Sequence, residues 1–100
     1  MARRTLPARS RIAARTMGEH LTAWRKLQGL TAEQVADRVG VTRDTLRKLE
    51  KGDPTVGFGV FVDVARVLGT LDEVVKALDP YETDLGRARA DQALPKRVRS

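Results

Sequence analysis

The chain predicts an all-α bundle of five helices. Apolar residues recur at helical spacing in five separate stretches. A threonine with Glu or Gln three residues later stands ahead of three of these stretches, the pattern of a capping box. A glycine or proline follows the end of each. The run Val60 to Val64 resembles a strand, but Phe58, Ala65 and Leu68 around it keep the helical period.

Residues 1–15 lack a clear period and contain Pro7, so they are predicted to be a flexible basic arm. Thr16 and Glu19 form the first capping box and open a helix carrying Leu21, Trp24 and Leu27, which stops at Gly29. Thr31 and Gln34 form the second box. The helix behind them gathers Val35, Ala36 and Val39 on one side and ends at Gly40, where a Cβ would oppose the positive φ required. Thr42 opens the third helix, with Leu46 and Leu49 as its inward pair, and Gly52-Asp53-Pro54 is a loop. Phe58, Phe61, Val62, Ala65 and Leu68 mark the fourth helix, ending at Gly69. The aromatic residues Trp24, Phe58 and Phe61 are expected to pack internally, with a dimer contact as the alternative for Trp24. Thr70 and Glu73 form the third box, ahead of a fifth helix with Leu71, Val74, Val75 and Leu78 that Asp79-Pro80 ends. The mixed segment 81–94 holds at most a weak helix over 83–92, and 95–100 is a basic tail. The expected organisation is thus an arm over 1–15, a domain over 16–79 and a C-terminal extension over 80–100.

One hundred residues allow one modest core. Lys and Arg number 19 against 13 Asp and Glu, a formal net charge of +6 that suits a polyanionic partner. The surplus sits at the ends: Arg3, Arg4, Arg9, Arg11 and Arg15 precede the first carboxylate, Glu19, and Lys96, Arg97 and Arg99 close the chain. These N-terminal arginines suit either a minor-groove arm or a tail of non-specific attraction. With no cysteine, disulfides and thiolate metal sites are excluded, and a reducing cytoplasm is expected. No apolar run suits a membrane span, and no apolar stretch follows the basic N-terminus as a secretory signal requires. His20 is the lone histidine, so no metal is expected. The only serines are Ser10 and Ser100, which leaves no serine–histidine arrangement. Gly57-Phe58-Gly59 lacks the third glycine and preceding strand of a phosphate loop. No cofactor and no catalysis are expected.

The third helix turns Arg43, Asp44, Arg47 and Lys48 outward. A helix anchored from behind and presenting long donors near its N-terminus suits the major groove of double-stranded DNA. Arg43 is the best base reader, because its guanidinium matches guanine O6 and N7. Asp44 can accept from cytosine N4 or reject wrong sequences; equally, it can stabilise the helix N-terminus. Arg47 and Lys48 divide between bases and phosphates. Backbone contacts are expected from Thr31, Gln34, Thr42, Lys51 and the loop amides at Gly52 and Asp53. Leu71, Val74 and Leu78 exceed what a four-helix core needs and are expected to serve a homodimer.

Thr31, Gly40, Thr42, Leu46, Leu49-Glu50 and Gly52, in this order, resemble the lambda-repressor-like, Xre-type helix-turn-helix domain over residues 17–78. The resemblance implies a five-helix DNA-binding fold whose third helix reads bases, and a sequence-specific transcription regulator. It also implies an ion pair between Arg25 and Glu50. Ala32 departs from the family, which often has a phosphate-gripping Gln there; the brace on the reading helix is then either absent or supplied by Gln34. Residues 53–60, Asp-Pro-Thr-Val-Gly-Phe-Gly-Val, and 81–87, Tyr-Glu-Thr-Asp-Leu-Gly-Arg, resemble HipB-type antitoxins, as does Leu94-Pro95-Lys96-Arg97. This second likeness implies a homodimeric autorepressor and, as the alternative main role, neutralising a HipA-like kinase toxin through the C-terminal extension.

Overall fold

Helix α1 runs from Ala8 to Leu27 in the computed structural model, which describes residues 5–93. It is followed by α2 (Ala32–Val39), α3 (Arg43–Glu50), α4 (Phe58–Leu68), α5 (Leu71–Ala77), a 3₁₀ turn (Pro80–Glu82) and α6 (Asp84–Ala93). The described residues therefore form six α-helices and no strand, the sixth lying in the C-terminal extension beyond the five of the domain.

The start of α1 corrects the expected arm. Residues 8–15 are helical. Pro7 is the N-cap, where its missing N–H costs nothing, and its carbonyl accepts from the Arg11 amide at 3.0 Å. Ala and Arg, both strong helix formers, dominate the next eight positions. Thr16 is consequently internal to the helix, and no capping box forms with Glu19. Arg3 and Arg4 lie outside the described residues, as does the tail from Leu94 onward.

The α2–turn–α3 unit is assembled by local chemistry. Thr31 Oγ1 accepts from the Gln34 amide at 3.0 Å, and the Thr31 amide donates to Gln34 Oε1 at 2.8 Å. Gly40 adopts φ +84°, and the amides of Gly40 and Val41 both donate to the Ala36 carbonyl. Thr42 Oγ1 then accepts from the Thr45 amide at 3.1 Å. Caps of this kind contribute about 1 kcal/mol each.

The core joins Leu21 of α1, Val35 and Ala36 of α2, Leu46 and Leu49 of α3, and Val64 and Leu68 of α4. Val35 and Leu46 are fully sealed and clamp α2 to α3. Among the described residues no polar side chain is buried.

Three expected packing residues lie outside this core. Trp24 is 47% exposed, Leu27 79% and Phe58 76%. On α1 the inward line is Gly18, Leu21 and Arg25, which turns Trp24 and Leu27 away. Phe58 is the first residue of α4, so its ring has no preceding turn to lie on; it stacks beside half-buried Phe61, centroids 6.2 Å apart. The Thr70–Glu73 box is also absent: the Thr70 hydroxyl donates back to the Ala65 carbonyl instead of capping α5. The weak helix expected over 83–92 is α6, and it turns back on the 3₁₀ turn. A Cβ on Gly86 would sit 1.8 Å from the Pro80 carbonyl oxygen, so only glycine permits this approach. Thr83 Oγ1 bridges the two by accepting from the Gly86 amide and donating to the Pro80 carbonyl, each at 2.9 Å.

Candidate nucleic-acid interface

Six of the eight residues of α3 fall on opposite sides, with Thr45 and Glu50 half-buried between them. Leu46 and Leu49 are buried, while Arg43, Asp44, Arg47 and Lys48 are exposed. Thr42 before the helix and Lys51 after it are exposed as well. Arg43, Arg47 and Lys51 follow one another at four-residue intervals and so form a single basic stripe.

Asp44 is paired within this surface. Its Oδ1 accepts from Arg47 Nη2, and Lys48 Nζ lies 3.4 Å from Oδ2. These partners, Arg47 first and Lys48 second, hold the Asp44 carboxyl below the usual carboxylate range. The carboxylate therefore stays ionised and partly neutralises two of the cations. Arg43 has no hydrogen bond or ion pair with any described residue, which leaves its guanidinium available at the helix N-terminus. The amides of Arg43 and Asp44, as the first two of the helix, lack intrahelical acceptors.

Behind the stripe, α3 is held by a bidentate pair. Arg25 Nε and Nη2 donate to Glu50 Oε2 and Oε1 at 2.7 and 3.1 Å, and Arg25 Nη1 donates to the Leu30 carbonyl at 3.0 Å. Both side chains are only 12–13% exposed. Glu50 raises the Arg25 pKa further, mainly by hydrogen bonding, against the opposing effect of burial. One guanidinium thus ties together the end of α1, the α1–α2 turn and the end of α3.

Several expected contacts are arranged differently. The Gly52 amide donates to the Leu49 carbonyl at 2.9 Å and the Asp53 amide to the Lys48 carbonyl at 2.9 Å, so neither is left for phosphate. These bonds close the C-terminal turn of α3, whose carbonyls would otherwise lack partners. Gln34 makes its bonds with Thr31, on its own helix terminus, and none with α3; it does not brace the reading helix. Thr31 and Thr42, by contrast, cap α2 and α3 with their hydroxyls as their positions predict. Leu71 and Val74 of α5 are half-buried outside the main core, and Leu78 is 79% exposed.

The sequence reading missed the close approach of α1 to α3. A Cβ on Gly18 would lie 2.5 Å from the Glu50 carbonyl oxygen, and one on Gly52 would lie 2.5 Å from the Arg15 Cα. A glycine inside an otherwise helical pattern was the available signal. Gln28 Nε2 also donates to the Leu68 carbonyl at 2.7 Å, tying α1 to α4, and nothing in the local pattern marks it. No helix among the described residues is long and apolar enough to cross a membrane.

Comparison with known proteins places these elements in context. Residues 16–78 match the family described as "Helix-turn-helix domain". The chain is 49% identical over 45 residues to an uncharacterized HTH-type transcriptional regulator of Methanothermobacter thermautotrophicus, a stretch covering 45% of this chain and 65% of that protein. The match therefore spans just under two thirds of the relative's length. No solved structure matches.

Proposed function

Because the chain belongs to the helix-turn-helix domain family, we propose that it is a sequence-specific, duplex-DNA-binding transcription regulator that binds as a symmetric dimer and represses its own promoter. The observation that supports this most is α3 itself: sealed from behind by Leu46, Leu49 and the Arg25–Glu50 pair, it offers four cations and one carboxylate to solvent from Arg43 to Lys51. Arg43, Asp44, Arg47 and Lys48 are the base readers in this proposal, with Thr42 and Lys51 at the phosphates. One such helix reads a short site, and two related by a dyad read half-sites about one helical turn apart. The dimer surface is α5, where Leu71, Val74, Val75 and Leu78 fall on one face and the last two are exposed.

The test is Arg43→Ala, read by selection from randomised duplexes. A bidentate contact to guanine contributes about 1–3 kcal/mol of discrimination, so preference should relax by about 5- to 150-fold at one position per half-site. Two symmetry-related positions should lose information together. Equal weakening on selected and random duplex would make Arg43 a phosphate contact, and a single relaxed position would remove the dyad.

A second reading, as an antitoxin to a HipA-like kinase toxin, draws support from the C-terminal segment. Among the described residues its side-chain hydrogen bonds stay within residues 79–87: Asp79 Oδ1 accepts from the Tyr81 amide, and Arg87 contacts both Asp84 and the Tyr81 carbonyl. It exposes Tyr81 (48%) and Leu85 (62%). Truncation after Asp79 should leave operator affinity within about twofold, since no residue of α3 is touched, and should abolish binding of the purified kinase. Kinase binding by the truncated chain would eliminate this role for the extension.

A further inference from the structure

The proposed reading of α3 leaves the first two turns of α1 without a role. These turns precede the family's matched region, which begins at residue 16. We propose that they form a second nucleic-acid contact, in which Arg11 and Arg15, with Lys51, hold a phosphodiester of the duplex beside the groove that α3 enters. This rests on the DNA-binding function proposed above.

Arg11 and Arg15 are four residues apart on one helix and therefore share a side. Together with Lys51 and the loop from Gly52 to Thr55 they line an open cavity of about 570 Å³. Lys51 is also the last member of the Arg43–Arg47–Lys51 stripe, so the cavity continues the reading face without a break. At about 1.5 Å per residue, Lys51 lies about 12 Å along the axis from Arg43. A major groove is about 12 Å wide. A helix with Arg43 at the bases therefore brings Lys51, and the cavity beside it, to the phosphates of the groove wall.

The cavity is held in shape by backbone packing. At Gly52 there is no room even for a methyl group against Arg15, and at Gly18 none against the end of α3. The α1 extension cannot swing away from α3 without breaking both contacts. Arg11 is partly anchored, since its Nη1 donates to the Leu6 carbonyl at 2.8 Å, and its remaining donors can serve a phosphate. Asp53 also lines the cavity, and its Oδ1 accepts from the Thr55 amide and hydroxyl. Three cations against that one carboxylate leave an attractive site for a phosphodiester. Arginines carried on a rigid helix also exclude the alternative of a minor-groove arm for these two residues.

The test compares the full chain with Arg11→Ala/Arg15→Ala on selected and random duplex over a range of salt. One neutralised phosphate contributes about 0.9 to the slope of log affinity against log salt, so the double variant should lose up to about 0.9. The loss should be equal on both duplexes, leaving the specificity ratio unchanged. The Arg11→Lys/Arg15→Lys variant should retain the slope, and a thermal melt separates any folding defect. An unchanged slope in the alanine variant overturns the proposal. So does saturable binding of inorganic phosphate, removed by the alanine substitutions, together with an unchanged slope: the cavity would then hold a free anion. Loss of preference between selected and random duplex in the unmodified chain would instead sink the function proposed above, and the slope on random duplex would still decide the role of α1.

Discussion

A Gly18→Ala variant is expected to be less stable than the parent by about 2–3 kcal/mol, the upper part of the range for overpacking. Two effects oppose each other here. Replacing a mid-helix glycine by alanine favours the helix by about 0.5–1 kcal/mol. The added Cβ, however, would sit 2.5 Å from the Glu50 carbonyl oxygen and 2.8 Å from both the Glu50 carbonyl carbon and the Gly52 amide nitrogen. All three are backbone atoms, so no side chain can rotate aside. The only relief is to move α1 away from α3, and that lengthens the Arg25–Glu50 pair and opens the contact at Gly52. The steric cost therefore wins. For a domain of this size each kcal/mol lowers Tm by about 4–8 °C, so a fall of about 10–20 °C should be measured by calorimetry. An unchanged or higher Tm would mean that propensity dominates and that the α1–α3 approach is loose. The variant should also bind duplex DNA more weakly than its residual folded fraction accounts for, because α3 loses its backing.

Glu50→Ala is expected to cost about 3 kcal/mol, near the lower end of the range for a fully buried pair, because this pair is largely rather than fully shielded. The two side chains are 12–13% exposed, so the stranded Arg25 guanidinium regains some water but not enough to replace a bidentate partner. Arg25→Ala should cost a similar amount, since it also releases the Leu30 carbonyl. Urea unfolding of the two single variants and the double variant measures the coupling. A value of about 1–3 kcal/mol is expected for residues in direct contact. A coupling below about 0.5 kcal/mol would place the pair with exposed ion pairs of little consequence. Glu50→Gln keeps shape and one acceptor, so it should recover part of the loss. That recovery separates the charge from the packing.

The α2–turn–α3 unit was legible from the chain because its instructions are local. The Thr31–Gln34 box, the Gly40 turn and the Thr42 cap each act within four residues. The α3 surface was legible for the same reason: Leu46 and Leu49 define one side, and everything between them points away. Where propensity competed with a pattern, the reading went astray. Thr16 and Glu19 have the spacing of a cap, yet eight residues of Ala, Arg and other helix-compatible types carry the helix through them back to Pro7. Thr70 has a cap's spacing too, but its hydroxyl is drawn to a carbonyl of the preceding helix. Phe58 keeps the helical period and still faces solvent, because a helix's first residue has no earlier turn beneath it.

Sequence alone determined that this chain is helical, that α2 and α3 meet at a glycine turn, and that α3 carries its cations on the side opposite its leucines. Those outcomes depend on periodicity and capping, which are properties of neighbours along the chain. Only tertiary structure decided which face of α1 is inward, that Gly18 and Gly52 let two backbones touch, and that Arg11 and Arg15 come to stand beside Lys51. Those outcomes depend on how closely two helices approach, and that distance is set by the smallest residues at the crossing rather than by any pattern within either helix.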